Sequence, residues 1–164
     1  ERIFNSAPKT WSVMLDRPGS GGGLPEAAGA MQAMRHYGSV GLVTNYDHPP
    51  NIHYLLQRER WQTCFDVVTI SGEIGIWKPD PAILFNALDA LGLSAGDAVY
   101  VGDSQIDIEA AHAAGMPCIL IERPGGPSDP LREKLSPETT VAQAEITIAS
   151  LADLSRAVAQ LQSI

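Results

Sequence analysis

The sequence is poor in aromatic residues, in cysteine and in positive charge. Phe, Trp and Tyr make up 6% of the 164 residues, and the two cysteines are too few for a disulfide framework or a cysteine zinc site. Lys and Arg number 11 against 19 Asp and Glu, so the formal net charge is −8. Because nucleic acids and anionic membranes attract positive charge, we expect neither of them to be a partner of this chain.

Long hydrophobic runs are also missing. No apolar stretch approaches the roughly 18 residues that a membrane-spanning helix needs, and residues 1–5 do not begin a signal peptide. We therefore expect a cytoplasmic protein, either a monomer or a homodimer. Because the chain begins with Glu1 rather than Met, we expect that an N-terminal part was cut from it. At 45% hydrophobic residues, the length suffices for the core of one domain.

Short apolar segments alternate with segments of helical periodicity from Pro25 onward. Apolar residues in the helical segments recur at spacings of three or four, and several of these segments end at a glycine. The predicted helices span 25–37, 50–60, 81–91, 104–114 and 151–161. The predicted strands span 40–44, 65–70, 98–101, 118–121 and 146–148, and a proline-rich surface loop covers 123–140. This alternation predicts an α/β fold with a Rossmann-like, doubly wound parallel sheet.

Two polar features lie where strands of this sheet are expected to end, which is where parallel sheets place their active sites. Thr44 and Asn45 close one predicted strand. A threonine hydroxyl and the backbone amides after it can donate to a phosphate oxygen, although the same pair is common in plain turns. Lys78 precedes the helix 81–91, where a positive charge opposes the helix dipole. That mismatch favours a functional lysine over a surface one.

A third feature is the segment from Tyr100 to Asp107. The strand ends at Gly102 and Asp103, and Asp107 lies one helical turn further on, facing the same way. Two carboxylates so placed suit a hard cation such as Mg²⁺. The alternative is that Asp103 caps the following helix, as an aspartate at a strand–helix junction often does.

In order and spacing these features resemble the motifs of the haloacid dehalogenase-like (HAD) hydrolase superfamily, phosphatase type. Its second motif is a strand-end Thr or Ser, its third a Lys in a Lys-Pro-Asp-Pro setting, and its fourth a Gly-Asp-x-x-x-Asp turn. The similarity covers about residues 24–114. The matching residues here are Thr44, Lys78 to Pro81, Gly102, Asp103 and Asp107.

The resemblance implies a role for each residue of the expected site. Thr44 would hold the transferring phosphoryl group, with Asn45 binding substrate beside it. Lys78 would neutralise charge on the phosphate and on an aspartyl nucleophile. Asp103 would bind Mg²⁺, directly or through water, and Asp107 would support the metal shell or orient Lys78. Phosphoryl transfer needs charge stabilisation of this kind.

The family's first motif, Asp-x-Asp at the end of an apolar strand, has no intact copy in this chain. Asp16 matches the first, nucleophilic position, but Pro18 replaces the second Asp, which acts as acid and base. In one interpretation Asp16 is a degenerate nucleophile on the central strand of a capless domain. The interpretation we favour here places the nucleophile upstream of a chain that lacks its N-terminal part, because Trp11 and Leu15 have helical spacing. Residues 1–23 are then the end of a helical cap with its linker, or else a degenerate first strand, and residues 24–164 are the core domain.

Three functions follow from this pattern. The leading one is Mg²⁺-dependent hydrolysis of a small phosphorylated metabolite through an aspartyl-phosphate. The second is 2-haloacid dehalogenation, against which a metal-binding Asp103 argues because that reaction uses no metal. The third is a non-catalytic module that keeps the phosphate and metal pocket without the nucleophile.

Overall fold

The computed structural model describes residues 10–13, 25–124 and 142–163. The described strands are β1 (Thr10–Val13), β2 (Val40–Thr44), β3 (Val67–Ile70), β4 (Ala98–Gly102), β5 (Cys118–Ile121) and β6 (Ile146–Ile148). The described α-helices are α1 (Pro25–Met34), α2 (Pro49–Arg58), α3 (Ser71–Ile74), α4 (Ala82–Leu91), α5 (Gln105–Ala113) and α6 (Leu154–Leu161). Within these residues no helix has both the length and the apolar content needed to cross a membrane.

The six strands form one sheet in the order β3-β2-β1-β4-β5-β6, and every neighbouring pair is parallel. The predicted doubly wound parallel α/β sheet is thereby confirmed, and each predicted strand and helix is present within a few residues of its expected bounds. The short helix α3 directly after β3 was not predicted. The proline-rich segment 125–141 lies outside the described residues.

Residues 10–13 form a strand, so the helical spacing of Trp11 and Leu15 was a wrong guide to this segment. Strand β1 pairs with β2 on one side and with β4 on the other, with Trp11 opposite Val40 and Val99. Backbone pairing on both sides explains the difference, since a segment between two strands satisfies its N–H and C=O groups only when it is extended. Residues 1–9 and 14–23, which complete the expected cap and linker, lie outside the described residues.

Helices cover both faces of the sheet, and the alternation of side chains along each strand divides the core in two. In β4, Val99 and Val101 pack on the side of α1, α2 and α6, while Ala98 and Tyr100 pack on the side of α4 and α5. All five residues of this strand are buried, as expected for a strand in a sheet covered on both faces. Because helices cover both faces of the sheet, polar groups of the loops meet solvent at the ends of the strands.

Candidate active site

The predicted site residues lie at the carboxyl edge of the sheet, in three loops that parallel pairing brings to the same side. Thr44 is the last residue of β2, and Asp103 directly follows β4. Lys78 lies between α3 and α4, in the loop that follows β3. Hydrogen bonds connect these loops, because Lys78 contacts both Asn45 and Asp107.

The amine of Lys78 is buried at the centre of this edge. Its Nζ donates to Oδ1 of Asp107 over 2.7 Å and to the hydroxyl of Tyr100 over 3.0 Å. The side chains of Lys78 and Asp107 are 1% and 0% exposed. Burial lowers the pKa of Lys78, and the neighbouring Asp107 carboxylate opposes that fall. A buried ion pair is costly to desolvate, and buried charged groups with shifted pKa values are concentrated at functional sites in proteins.

The carboxylate of Asp107 uses both oxygens on groups of the protein. Oδ1 faces Lys78 and Tyr100, while Oδ2 accepts from the backbone N–H of Asp103 at 3.1 Å, from the N–H of Ser104 at 3.1 Å and from its hydroxyl at 2.6 Å. Ser104 and Asp107 form a capping box at the start of α5. The N-cap of this helix is therefore Ser104, which removes the capping alternative for Asp103.

Gly102 makes the close approach of β4 and α5 possible. A Cβ atom at this position would lie 2.4 Å from the Cβ and 2.5 Å from the Cγ of Asp107. No larger residue fits there unless the carboxylate moves, because such contacts are well inside van der Waals separation. The glycine of the Gly-Asp turn is thus required for the position of Asp107 and, through it, of Lys78.

The side chain of Asn45 is bound to the backbone of Lys78. Its Nδ2 donates to the Lys78 carbonyl over 3.0 Å, and its Oδ1 accepts from the Lys78 N–H over 2.9 Å. Sequence reasoning assigned Asn45 to substrate binding, and the described contacts of its side chain are with the lysine loop. The two reciprocal bonds fix the loops after β2 and β3 to each other.

Helix α3, absent from the sequence prediction, holds the backbone just after Thr44. The N–H of Tyr46 donates to Oγ of Ser71 over 2.8 Å, and the carbonyl of Tyr46 accepts from the N–H of Gly72 over 3.0 Å. A Cβ on Gly72 would lie 2.7 Å from that carbonyl oxygen, so a glycine is required for the contact. These contacts hold the backbone of the segment after Thr44 against the start of α3.

Tyr100 is the residue at this edge that sequence reasoning missed. It is fully buried in β4, and its hydroxyl lies 3.3 Å from the carbonyl oxygen of Val43 and 3.3 Å from Oδ1 of Asp107. Burial, with the nearby Asp107 carboxylate, raises the pKa of Tyr100 well above its ordinary value, so the hydroxyl keeps its proton. The only signal in the sequence was a hydroxyl-bearing side chain within an apolar strand, two residues before Gly102.

Thr44 and Asp103 differ in exposure. Thr44 is 8% exposed, whereas Asp103 is an exposed residue at the rim. Within 10–13, 25–124 and 142–163 there is no cluster of three or more His, Cys, Asp and Glu side chains suited to a metal ion. Asp16 and Pro18, the positions that match the nucleophile motif, lie outside the described residues.

The carboxyl edge of this parallel sheet carries a strand-end threonine and a buried lysine–carboxylate pair, and it is at this edge that parallel α/β sheets place their active sites. The chain belongs to the haloacid dehalogenase-like hydrolase family, whose model matches residues 26–121. The resemblance found in the sequence is thus confirmed.

Individual relatives agree with this assignment. The chain is 34% identical over 125 residues to Phosphatase MT3486 of Mycobacterium tuberculosis, covering 76% of this chain and 58% of that protein. A HAD phosphatase structure from Thermococcus onnurineus superposes with a TM-score of 0.68 at 25% identity, over 83% of this chain and 58% of that one. The chain spans about half the length of the curated relatives it matches.

One solved structure has a similar extent to this chain. An uncharacterized protein from Listeria monocytogenes serotype 4b superposes with a TM-score of 0.73, covering 94% of this chain and 98% of that chain. At 22% identity this likeness concerns the fold alone. The Listeria chain therefore has the same architecture as this chain over nearly its whole length.

Proposed function

We propose that this chain is a phosphatase core of the family, which binds a small phosphomonoester and transfers its phosphoryl group to an aspartate. The observation that carries the proposal is the Lys78–Asp107 pair, buried at the carboxyl edge beside the end of β2. A substrate phosphate carries two negative charges at neutral pH, and a fixed ammonium group at low dielectric stabilises the charge that develops during transfer.

The contacts of each residue at the carboxyl edge indicate its proposed role. Thr44 donates its hydroxyl to a phosphoryl oxygen, together with backbone N–H groups of the loop that α3 holds in place. Lys78 supplies the positive charge. Asn45 holds the backbone of Lys78 in position, in place of the substrate-binding role expected from the sequence. Asp107 orients the ammonium group, since both of its oxygens already accept hydrogen bonds from the protein.

The carboxylate chemistry of the edge is suited to Mg²⁺ at one position. Asp103 is an exposed hard oxygen ligand at the end of β4. Both oxygens of Asp107 accept hydrogen bonds from the protein, so we assign Mg²⁺ to Asp103 and not to Asp107. When bound, Mg²⁺ would neutralise phosphoryl charge and align the group for in-line attack.

The strand β1 bears on the location of the nucleophile. It lies between the strands that end in Thr44 and Gly102, and Asp16 follows its last residue, Val13, by three positions in the sequence. We therefore propose that residues 10–13 belong to the core as its first strand, and that Asp16 is the nucleophile. The 11 residues from 14 to 24, between β1 and α1, are fewer than a cap of several helices would need, since one helix averages about 10–14 residues.

Pro18 occupies the position of the missing acid and base, and this favours a second candidate function. Proline has no group that can protonate a leaving group, and such assistance contributes about 10²- to 10⁴-fold to a rate. A chain with the anion-binding edge and without this group is suited to bind phosphate rather than to turn it over. This is the non-catalytic module expected as an alternative.

One set of variants separates the candidates. The purified chain is assayed for Mg²⁺-dependent hydrolysis of p-nitrophenyl phosphate, and phosphate binding is measured independently by calorimetry. We expect Pro18→Asp to raise hydrolysis about 100-fold or more, because it restores an acid and base. Asp16→Asn should then abolish the gain, and Asp103→Asn should remove the Mg²⁺ dependence.

The hydrolysis and phosphate-binding results together distinguish the candidate functions. Phosphate binding without hydrolysis in the wild type and in Pro18→Asp identifies the non-catalytic module or a nucleophile outside this chain. Weaker phosphate binding in Lys78→Met supports the anion site in either case. A wild-type protein that binds neither phosphate nor Mg²⁺ refutes the proposed function.

A further inference from the structure

We propose that Tyr100 is a positioning residue, whose buried hydroxyl fixes the ammonium group of Lys78 relative to the end of β2. The inference deepens the proposed function and rests on Lys78 being the anion-binding charge. It begins from three distances at one oxygen: the Tyr100 hydroxyl lies 3.0 Å from Nζ of Lys78, 3.3 Å from Oδ1 of Asp107 and 3.3 Å from the carbonyl oxygen of Val43.

The hydrogen-bonding capacity of a phenol assigns a direction to these contacts. The ammonium group of Lys78 has only donors, so the Tyr100 oxygen accepts from it. The single phenolic proton is then donated to the Val43 carbonyl or to the Asp107 carboxylate. When the proton is donated to Val43, the hydroxyl links the lysine amine to the backbone of β2 one residue before Thr44.

The ring of Tyr100 lies in an apolar environment, and its hydroxyl contacts the polar groups at the carboxyl edge. Tyr100 is 0% exposed, and its ring packs among apolar side chains of α4 and α5 under the sheet, including Ile83 and Ile108. The Lys78 Nζ atom lies 3.0 Å from the hydroxyl oxygen and 5.5 Å from the ring centroid, so the ammonium lies beyond the hydroxyl end of the ring. A phenylalanine would preserve the packing of the ring and would remove only the hydroxyl.

A consequence follows for the flexibility of the lysine. Four methylene groups separate the Lys78 ammonium from its backbone, and a bond to one oxygen of Asp107, over 2.7 Å, restrains it from one direction. Bonds from two directions, one to α5 and one to β4, restrict both the distance and the angle at which the charge faces the edge. Asn45 restrains the backbone of the same residue. The lysine is thus fixed at both ends.

The test combines a spectroscopic signature with a double-mutant cycle. Nitrogen-15 NMR of lysine side chains reports the exchange of the Lys78 ammonium protons with water, and Lys78→Met identifies the resonance. We expect Tyr100→Phe to accelerate that exchange and to weaken inorganic phosphate binding about tenfold, as expected for one hydrogen bond to a charged group. In the Lys78→Met background, Tyr100→Phe should change phosphate affinity less than about twofold, since the hydroxyl acts through the lysine.

Tyr37→Phe is the matched control. The Tyr37 hydroxyl donates to the carbonyl oxygen of Ser155 over 3.2 Å on the opposite face of the sheet, so its loss should leave both readouts unchanged. Equal weakening of phosphate binding by Tyr100→Phe with and without Lys78 would overturn the proposal, because it would show a general structural effect. Unchanged ammonium exchange in a folded Tyr100→Phe protein would overturn it as well.

Two further measurements keep the test decisive. If Tyr100→Phe does not fold, an NOE between the Tyr100 hydroxyl proton and the Lys78 ammonium in the wild type supports the contact, and absence of the contact refutes it. If the wild type binds no phosphate, the proposed function fails. The ammonium exchange then still decides whether Tyr100 positions the lysine.

Discussion

The carboxylate of Asp107 and the ammonium of Lys78 are equally buried but unequally supported, and this asymmetry predicts the cost of removing each one. Without Lys78, the carboxylate keeps the hydrogen bonds from the N–H of Asp103 and from the N–H and hydroxyl of Ser104. Without the Asp107 charge, Lys78 keeps its contact with the Tyr100 hydroxyl but loses its ion pair at 1% exposure. Asp107→Asn should therefore destabilise the protein more than Lys78→Met does.

The magnitude follows from the same contacts. Breaking a buried ion pair by removing one partner costs about 3–5 kcal/mol, and this is what we expect for Asp107→Asn. The new amide nitrogen would also face donors, either Lys78 or the N–H groups at the start of α5. Lys78→Met should cost about 1.5–3 kcal/mol, the usual contribution of a hydrogen bond to a charged group. Such losses are a large part of the free energy of unfolding of a typical domain, which is about 5–15 kcal/mol.

The dependence on pH has a defined sign. Burial lowers the folded-state pKa of Lys78, and Asp107 opposes this fall, so Asp107→Asn lowers the pKa further. Between the lowered pKa and the ordinary value of 10.5, the unfolded chain binds more protons than the folded one, and stability rises with pH. The cost of Asp107→Asn should thus be largest below the folded-state pKa of the variant and shrink as the pH approaches 10.5.

Urea unfolding of the wild type, Asp107→Asn and Lys78→Met, at neutral pH and at about pH 9.5, measures these differences. Asp97→Asn is the control, since Asp97 forms the same capping box with Ser94, but at an exposed site. It should cost only about 1 kcal/mol at both pH values. The reasoning is refuted if Lys78→Met costs as much as Asp107→Asn, or if the Asp107→Asn cost does not fall with pH.

Three other perturbations test separate parts of the site. Gly102→Ala should lower the free energy of unfolding by about 1–3 kcal/mol, measured in urea, because its Cβ would overlap the capping carboxylate of α5. Asn45→Ala should weaken phosphate binding about tenfold in calorimetry, since two hydrogen bonds to the backbone of Lys78 are lost. Cys118 should resist a thiol reagent in the native protein while Cys64 reacts, because Cys118 is buried and burial raises its thiol pKa.

Each of these has a matched comparison. Gly96→Ala places a Cβ in open space, so a cost equal to that of Gly102→Ala would contradict the steric argument. Asn86→Ala removes an amide that accepts from Thr69 over 3.4 Å, outside the lysine loop, and should leave phosphate affinity unchanged. Rapid modification of both thiols before unfolding would show that β5 is more accessible than its burial indicates.

The sequence alone determined the architecture and the order of the site loops. Apolar periodicity and helix-ending glycines were sufficient for the elements, because each is a local property of neighbouring residues. Parallel strands share one carboxyl edge, so the pattern also predicted that Thr44, Lys78 and Asp103 would lie together. The helical spacing of Trp11 and Leu15 misled, since pairing on both sides outweighs a weak local pattern in so short a segment.

Only the tertiary structure decided which side chains form hydrogen bonds with Lys78. Lys78 contacts residues 33, 22 and 29 positions away in the chain, namely Asn45, Tyr100 and Asp107. Each of these partners is selected by distance in space across separate loops and strands, and no local pattern records such distances. The sequence therefore indicated which groups meet at the edge of the sheet, while packing decided that a carboxylate, a phenol and an amide hold one lysine.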